Sequence, residues 1–238
     1  MRYLHLTLAT PAENLACDEA LLDACEDGAD ECLRLWEPRQ PFVVLGYANR
    51  REAEVNVAAC RAARVPILRR CSGGGTVLQA PGCLNYSLIL RIPESGALAS
   101  LTDTTNVILT RHADALAPLL GRRPALEGTS DLALDGRKFS GNAQRRRQHA
   151  LLFHGTFLLH CDLALIERAL RPPPRQPAYR RGRGHAEFLM NLECSATRIA
   201  ETLRTAWDAD GAPTEIPARR IESLVAERYG SEAWTNRS

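Results

Sequence analysis

The apolar positions along the chain change period several times, and each change marks an element. In PAENLACDEALLDACE, Leu15, Leu21, Leu22 and several alanines recur at helical spacing, with Asn14 or Pro11 near the start. Cys32–Trp36 alternates, and Phe42–Leu45 is an apolar run closed by Gly46, which predicts two strands around a proline-bounded turn. EVNVAACRAARV predicts a helix, PILRR a short strand and LNYSLILRI an alternating strand. Residues 101–121 read as a helix of leucines and alanines. LALDGRKFSGNAQ and ALLFHGTFLLHC predict two strands joined by a loop holding RRRQ, with Asp135-Gly136 as a hairpin turn. DLALIERAL is a short helix capped by Asp162. The Pro-, Gly- and Arg-rich stretch Arg171–Gly184 reads as a mobile loop, ordered on binding. Two helices with glycine stops follow, SATRIAETLRTAWDADG and PARRIESLVAERYG.

Strands dominate the middle, with helices interspersed irregularly. This order predicts an α+β fold with a mixed or antiparallel sheet flanked by helices, as one domain over residues 1–238. Composition agrees: 45% apolar and 24% charged residues in 238 can build a core without disulfides or a structural metal. A formal net charge of +2 advertises neither nucleic acid nor membrane as a partner. No apolar run approaches the roughly 20 residues of a spanning helix. The first residues carry acids and a proline where a signal peptide has a basic head, so a cytoplasmic location is expected. The eight cysteines are scattered without a CxxC, and buried free thiols are expected.

The chemistry begins with one cation. Lysine and arginine together number 30, and Lys138 is the one lysine among them. A lysine on a solvated surface exchanges for arginine freely. A compact ammonium in a tight polar site does not, because the guanidinium fork differs in shape and reach. A second signal is RRCSGGGTVLQAPGCLNYS, Arg69–Ser87. Three glycines between strands leave backbone N–H groups open to a ligand, often an anionic one, and Arg69 and Arg70 before them raise the case for phosphate. The motif is neither GxGxxG nor a P-loop.

RRCSGGGTVLQAPGCLNYS, GRKFSGNAQ and HGTFLL stand in the order and spacing of the lipoate–protein ligase, octanoyltransferase and biotin ligase superfamily. The chain most resembles the lipoate–protein ligase A catalytic domain; NLACDEALL, LRLWEPRQPFVVLGY and TSDLALDGRK extend the likeness over nearly its whole length. The resemblance implies a core like that of class II aminoacyl-tRNA synthetases. It implies activation of lipoate or octanoate by ATP to an acyl-adenylate, then transfer to a lysine of an acceptor. That acceptor is a dehydrogenase lipoyl domain, an H protein or a lipoate-binding protein. By motif position Lys138 contacts the adenylate. Arg70, Ser72, Gly73, Gly74, Gly75, Thr76, Val77, Leu78, Gln79 and Asn85 line the nucleotide and acyl-phosphate site, and Gly141, Asn142, His154 and Gly155 complete it. Mg²⁺ bridges the phosphates, with Asp131 as a metal ligand or nucleotide contact. Val77, Leu78 and Phe42–Leu45 are candidates for an apolar tunnel.

Two departures stand out. Gln79 sits where many ligases carry a histidine, and it can hydrogen-bond but not transfer a proton. The C-terminal accessory domain of many ligases is not seen before Ser238, so a separate subunit is expected to supply it where it is needed. The rival is a transferase that takes octanoate through a cysteine thioester. One such group carries its cysteine shortly before the GRK motif, where this chain has PALEGTSDLALDGRK and none. A non-catalytic binding module for lipoylated domains or an adenylate is a third reading, which the retained Lys138 opposes. The arginines of the Arg171–Gly184 loop are expected to meet an acidic acceptor or to fold over the adenylate.

Overall fold

The computed structural model describes residues 1–212 and 215–237; Pro213, Thr214 and Ser238, the last residue of the closing stretch, lie outside them. A seven-stranded mixed sheet runs in the order β1-β2-β6-β10-β9-β8-β7. Its strands are β1 (Arg2–His5), β2 (Cys32–Trp36), β6 (Cys83–Arg91), β7 (Ala125–Glu127), β8 (Asp131–Leu134), β9 (Arg137–Arg146) and β10 (Ala150–Leu158). Only β1 and β2 pair in parallel. A small sheet, β4-β3-β5, is built from β3 (Phe42–Leu45), β4 (Ile67–Arg69) and β5 (Val77–Gln79). Thus the two strands expected on either side of the Pro-bounded turn do form, but β2 and β3 part into different sheets.

The helices are α1 (Pro11–Glu26), α2 (Arg51–Glu54), α3 (Val57–Ala62), α4 (Leu101–Leu120), α5 (Leu163–Ala169), α6 (His185–Phe188), α7 (Ala196–Ala206), α8 (Ala218–Leu224) and α9 (Glu232–Thr235). Thr10 caps α1 in a capping box with Glu13, and Pro11 takes the first turn, where its missing N–H costs nothing. The helix predicted from Glu54 begins only at Val57, because Asn56 caps it by accepting from Ala59 N–H. Asp162 caps α5 as expected. α7 stops at Trp207 rather than Gly211, with Asp208 in the left-handed region at φ 47°. β9 extends through Arg146, so two arginines of RRRQ belong to the strand. The Asp135-Gly136 hairpin is present, with both residues at positive φ.

Period-two alternation sorts the large sheet into two faces. Leu33, Leu35, Tyr86, Leu88, Phe153 and Phe157 point to one side and pack under α4 and α7. The other side is apolar toward one end, where Cys32, Ile89 and Leu152 meet α1 and α8. In its middle it presents polar groups. Opposite residues across neighbouring strands share a face, so Arg34, Ser87 and His154 form one row. Trp36, Asn85, Thr156, Gly141 and Asp131 form the next. A row of such residues on a covered sheet face demands partners, and the space above it is the cavity described next. All eight cysteines are buried free thiols. No helix among the described residues is long and apolar enough to cross a membrane.

Candidate active site

A cavity of about 510 Å³ lies over this polar face. The sheet forms its floor, the β4–β5 glycine turn and β5 one wall, and the segment after α5 its roof. Arg70, Gly74, Gly75, Thr76, Val77, Leu78, Gln79, Asn85, Asp131, Lys138, Gly141, Asn142, His154 and Gly155 all line it. Ser72, which is buried, and Gly73, which is exposed in the turn itself, do not. Of the Phe42–Leu45 run only Val44 reaches the cavity, while Phe42, Val43 and Leu45 are core.

Lys138 sits where β9 slips by one residue against β8, a bulge between Leu132 and Ala133 that re-aims the side chain. Its Nζ pairs with Asp131 Oδ1 at 2.7 Å. The ammonium lies over Gly141, where a Cβ would stand 2.6 Å from Nζ; only glycine leaves that room. Tyr179 O–H donates to the other carboxylate oxygen, Asp131 Oδ2, at 2.7 Å. Burial, and then the neighbouring carboxylate, push the Tyr179 phenol far up, so it stays a donor.

The glycine turn is held from below. Arg70 donates to the Gly73 and Gly75 carbonyls and to Ser72 Oγ. With those carbonyls turned inward, peptide planarity sends the Gly74 N–H to the opposite side. Among the described residues neither Gly74 N–H nor Gly75 N–H finds an acceptor. Burial lowers the Arg70 pKa to about 10, which still leaves it charged at neutral pH. Ser72 Oγ accepts from Arg70 Nε and shares a hydrogen bond with His154 Nε2 at 2.6 Å. Burial, then Arg70, lower the His154 pKa to about 3, so the ring is neutral at ordinary pH. Gly155 must be glycine: a Cβ there would fall 1.8 Å from Asn142 Oδ1. Asn142 in turn accepts from Tyr86 O–H at 2.6 Å and donates to the Ser130 carbonyl, so it shapes the floor.

The expectation for Arg69 is corrected. Arg69 is not a phosphate ligand; its guanidinium is buried on the carbonyls of Gly46, Tyr47, Asn49, Trp234, Thr235 and Arg237, locking α9 to the β3–α2 connection. Arg70 lines the cavity as expected, but its hydrogen bonds go to Ser72, the Gly73 and Gly75 carbonyls and the Val44 carbonyl, so it also braces the turn. Gln79 completes a closed ring: it donates to Thr156, Thr156 to Asn85 and Asn85 back to Gln79. The ring has no proton to transfer, in accord with the departure noted at Gln79.

Most of the Arg171–Gly184 segment is exposed, but its part around Tyr179 and Arg180 is docked. A short 3₁₀ turn, Ala178–Arg180, brings Tyr179 to Asp131 and buries Arg180 to 3% exposure. Arg180 lines the cavity and stacks over Phe188, and its Nη2 is buried without a partner. Sequence reasoning missed Arg180 as an individual, and it missed Asp18, Trp36 and Ser87 at the other end of the cavity. Asp131 has both oxygens engaged, and no group of three metal-binding side chains occurs among the described residues.

With this geometry in place, the chain was compared with known proteins. The model of the lipoyl protein ligase A/B catalytic domain matches residues 10–204, and the chain belongs to that family. A protein of Aeropyrum pernix provisionally named lipoate-protein ligase A is 31% identical over 231 residues, covering 95% of this chain and 79% of the relative. The octanoyltransferase LipM of Symbiobacterium thermophilum is 28% identical over 265 residues, covering 94% of each. Among solved structures, a bi-partite lipoate protein ligase from Thermoplasma acidophilum, studied with its E2 lipoyl domain, superposes with a TM-score of 0.84. It is 22% identical, with 99% of this chain and 95% of that one covered, and so speaks to fold.

Proposed function

We propose that this member of the family is an ATP-dependent lipoate–protein ligase. The carrying observation is Lys138, a half-buried ammonium lining the same cavity as the open Gly74–Gly75 turn, a cavity that no thiol enters. A transferase working through a thioester needs a cysteine sulfur at the reacting carbon. All eight cysteines are buried outside the cavity lining; burial pushes the Cys71 thiol up to about 12, and a hydrogen bond with Cys161, then burial, raise Cys83 well above its ordinary value.

Joining a free acid to a lysine amine in water runs uphill, so the acid must first be activated. A carboxylate oxygen attacks the α-phosphorus of ATP, pyrophosphate leaves, and an acyl-adenylate forms. The acceptor amine then attacks the acyl carbon and AMP leaves. The first step brings two anions together, which repel by roughly 4 kcal/mol at about 4 Å and an effective dielectric near 20. Lys138 touches both anions once it exchanges Asp131 for them, and it holds the attacking oxygen in line. The free N–H groups of Gly74 and Gly75 donate to the phosphate oxygens. Arg180, a buried cation with an unpartnered donor, closes over the same anion from the roof. A magnesium ion, if bound with the nucleotide, would take its ligands mainly from the phosphates and offset their charge, with Asp131 the nearby carboxylate able to join it.

The test is incubation with a purified lipoyl domain, lipoate and Mg²⁺, with and without ATP, read by intact mass. Gain of one lipoyl group only with ATP is expected. Gain only from octanoyl-carrier protein, abolished by thiol alkylation, would overturn the reading. Because a bi-partite ligase shares the fold, adenylate formation is followed first with the chain alone and then with a candidate second polypeptide.

A further inference from the structure

The roof of the cavity carries a second polar group that the fold leaves without a partner. Like Arg180 Nη2, His185 Nδ1 is buried and unpaired, in a residue 7% exposed that lines the cavity. His185 opens α6, and the end of α6 is fastened to the lysine strand. Leu189 bridges to Lys138, and Met190 N–H donates to the Lys138 carbonyl at 2.9 Å. Behind the ring stands Glu167 of α5, with Oε2 3.8 Å from Nδ1. That is too long for a hydrogen bond but close enough to orient the ring. The same oxygen accepts from Ala186 N–H at 2.9 Å, which fixes the carboxylate in place. The other ring nitrogen, Nε2, makes no hydrogen bond among the described residues and, unlike Nδ1, is not sealed in. Burial first, and then Arg180, lower the ring's pKa against the pull of Glu167, while Lys138 lowers it further, so the ring is neutral at neutral pH.

The transfer half of the proposed reaction releases a proton that the site must place. An amine attacking an acyl-adenylate becomes cationic as the carbon–nitrogen bond forms, and the amide is complete only when that proton has left. Lys138 and Arg180 repel an incoming ammonium, so the acceptor lysine enters as the neutral amine. A carboxylate is a poorer base than an imidazole at neutral pH, and those lining the cavity are engaged. Asp131 holds Lys138 and Tyr179, Glu54 accepts from Asn49 and from Thr76 N–H, and Asp18 pairs with Arg34. His154 is bonded to Ser72, and its pKa of about 3 makes it a weak base.

We infer that His185 is a catalytic residue of the transfer step, its Nε2 taking the proton of the acceptor lysine's amine as that amine attacks the acyl carbon. This rests on the ligase reading above. The carbon–nitrogen bond forms, the carbon–oxygen bond to the phosphate breaks, AMP leaves with that electron pair, and the proton passes through His185 to solvent. Glu167 draws the ring's own proton to Nδ1 beforehand, which leaves the Nε2 lone pair free. It then steadies the imidazolium, and a long contact of this kind tightens as charge develops.

The test separates the two half-reactions in His185→Gln. Adenylate formation is followed from lipoate and ATP. Transfer is followed in a single turnover from preformed lipoyl-adenylate to a purified lipoyl domain, by rapid quench and intact mass. Transfer is expected to fall by about 10²–10⁴-fold, the usual worth of a general base, with adenylate formation reduced far less. Glu167→Gln keeps an oxygen for Ala186 N–H and should lower transfer by a smaller factor. On the acid side, transfer by the unmodified protein should fall with protonation of both the ring and the amine. The ring's part is set by Lys138, Arg180 and Glu167 around it, and His185→Gln should keep only the amine's dependence. Transfer that keeps pace with adenylate formation in the variant, both intact or both lost, would overturn the assignment, as would an unchanged acid dependence. No adenylate from the unmodified protein would instead overturn the ligase reading, so the first measurement tells the two failures apart.

Discussion

The two faces of the large sheet are built from the same strands and obey different rules. On one face Tyr86, Leu88, Phe153 and Phe157 pack under α4 and α7, where His112 accepts from Trp207 N–H at 2.8 Å and meets Tyr86 edge-on, its Nδ1 buried without a partner. On the other, one residue along in each strand, Ser87, His154 and Thr156 face the cavity. The cations divide by how they are held rather than by face. Arg34, Arg69 and Arg70 are buried and spend their donors on carbonyls, hydroxyls or a fixed carboxylate. Lys138 has a single carboxylate partner and remains 24% exposed in its side chain. The lesson is that a planar fork suits a permanent joint, whereas a compact ammonium can release one anion for another.

The largest expected break in this comparison is on the packed face. Phe157 is fully buried there. Phe157→Ala should cost about 3–5 kcal/mol of stability, by lost transfer and the cavity left behind. A shift in denaturation midpoint reads it; a loss under 1 kcal/mol would show that this face tolerates voids. Next is Lys138→Arg on the cavity face. It keeps the charge but not the shape, and adenylate formation should fall about 10²–10³-fold, with the melting temperature little changed because the pair it joins is partly solvated. Unharmed adenylate formation would mean that any cation serves.

The third break uses acid. His112 is fully buried and its pKa is lowered to about 3, first by burial and then by Arg111. Its folded pKa is below its unfolded one, so between about pH 6.5 and pH 3 the unfolded chain holds a proton that the folded chain refuses. Stability is therefore complete at neutral pH and falls on acidification by about 1.4 kcal/mol per pH unit from this group. Urea midpoints at pH 7, 6 and 5 should show the fall, and His112→Gln should flatten it. His154 shifts the same way but opens to the cavity, so filling the cavity with substrate should alter its contribution and not that of His112.

Much of this was legible in the chain and some was not. The alternation in LNYSLILRI and ALLFHGTFLLHC places Tyr86 and Phe153 on one face and Ser87 and His154 on the other, and the turn glycines mark where backbone meets ligand. Lys138 declared itself by being alone. What stayed hidden depends on pairings distant in sequence. An arginine inside a strand reads as solvated, and nothing near Arg34 announces that α1 will deliver Asp18 to it. Arg69 looked like an anion ligand because its acceptors, the carbonyls of α9, lie 165 residues or more away. The Arg171–Gly184 stretch read as mobile on composition, yet one tyrosine is enough to dock it.

That tyrosine gives the smallest and sharpest test. Tyr179 joins roof to floor through Asp131, the carboxylate that holds Lys138 in wait. Tyr179→Phe keeps the ring against Phe188 and removes one hydrogen bond, worth about 0.5–1.5 kcal/mol, or roughly two- to tenfold. If the bond mainly closes the roof, the KM for ATP rises by that factor and kcat holds. If it mainly shares the charge of Asp131, losing it leaves the carboxylate to Lys138 alone. The lysine then leaves less readily, and kcat falls while KM holds. The Gly74–Gly75 wall and the roof are built separately, so the roof-closing outcome is expected, and the kinetic split decides which side of the cavity governs the lysine.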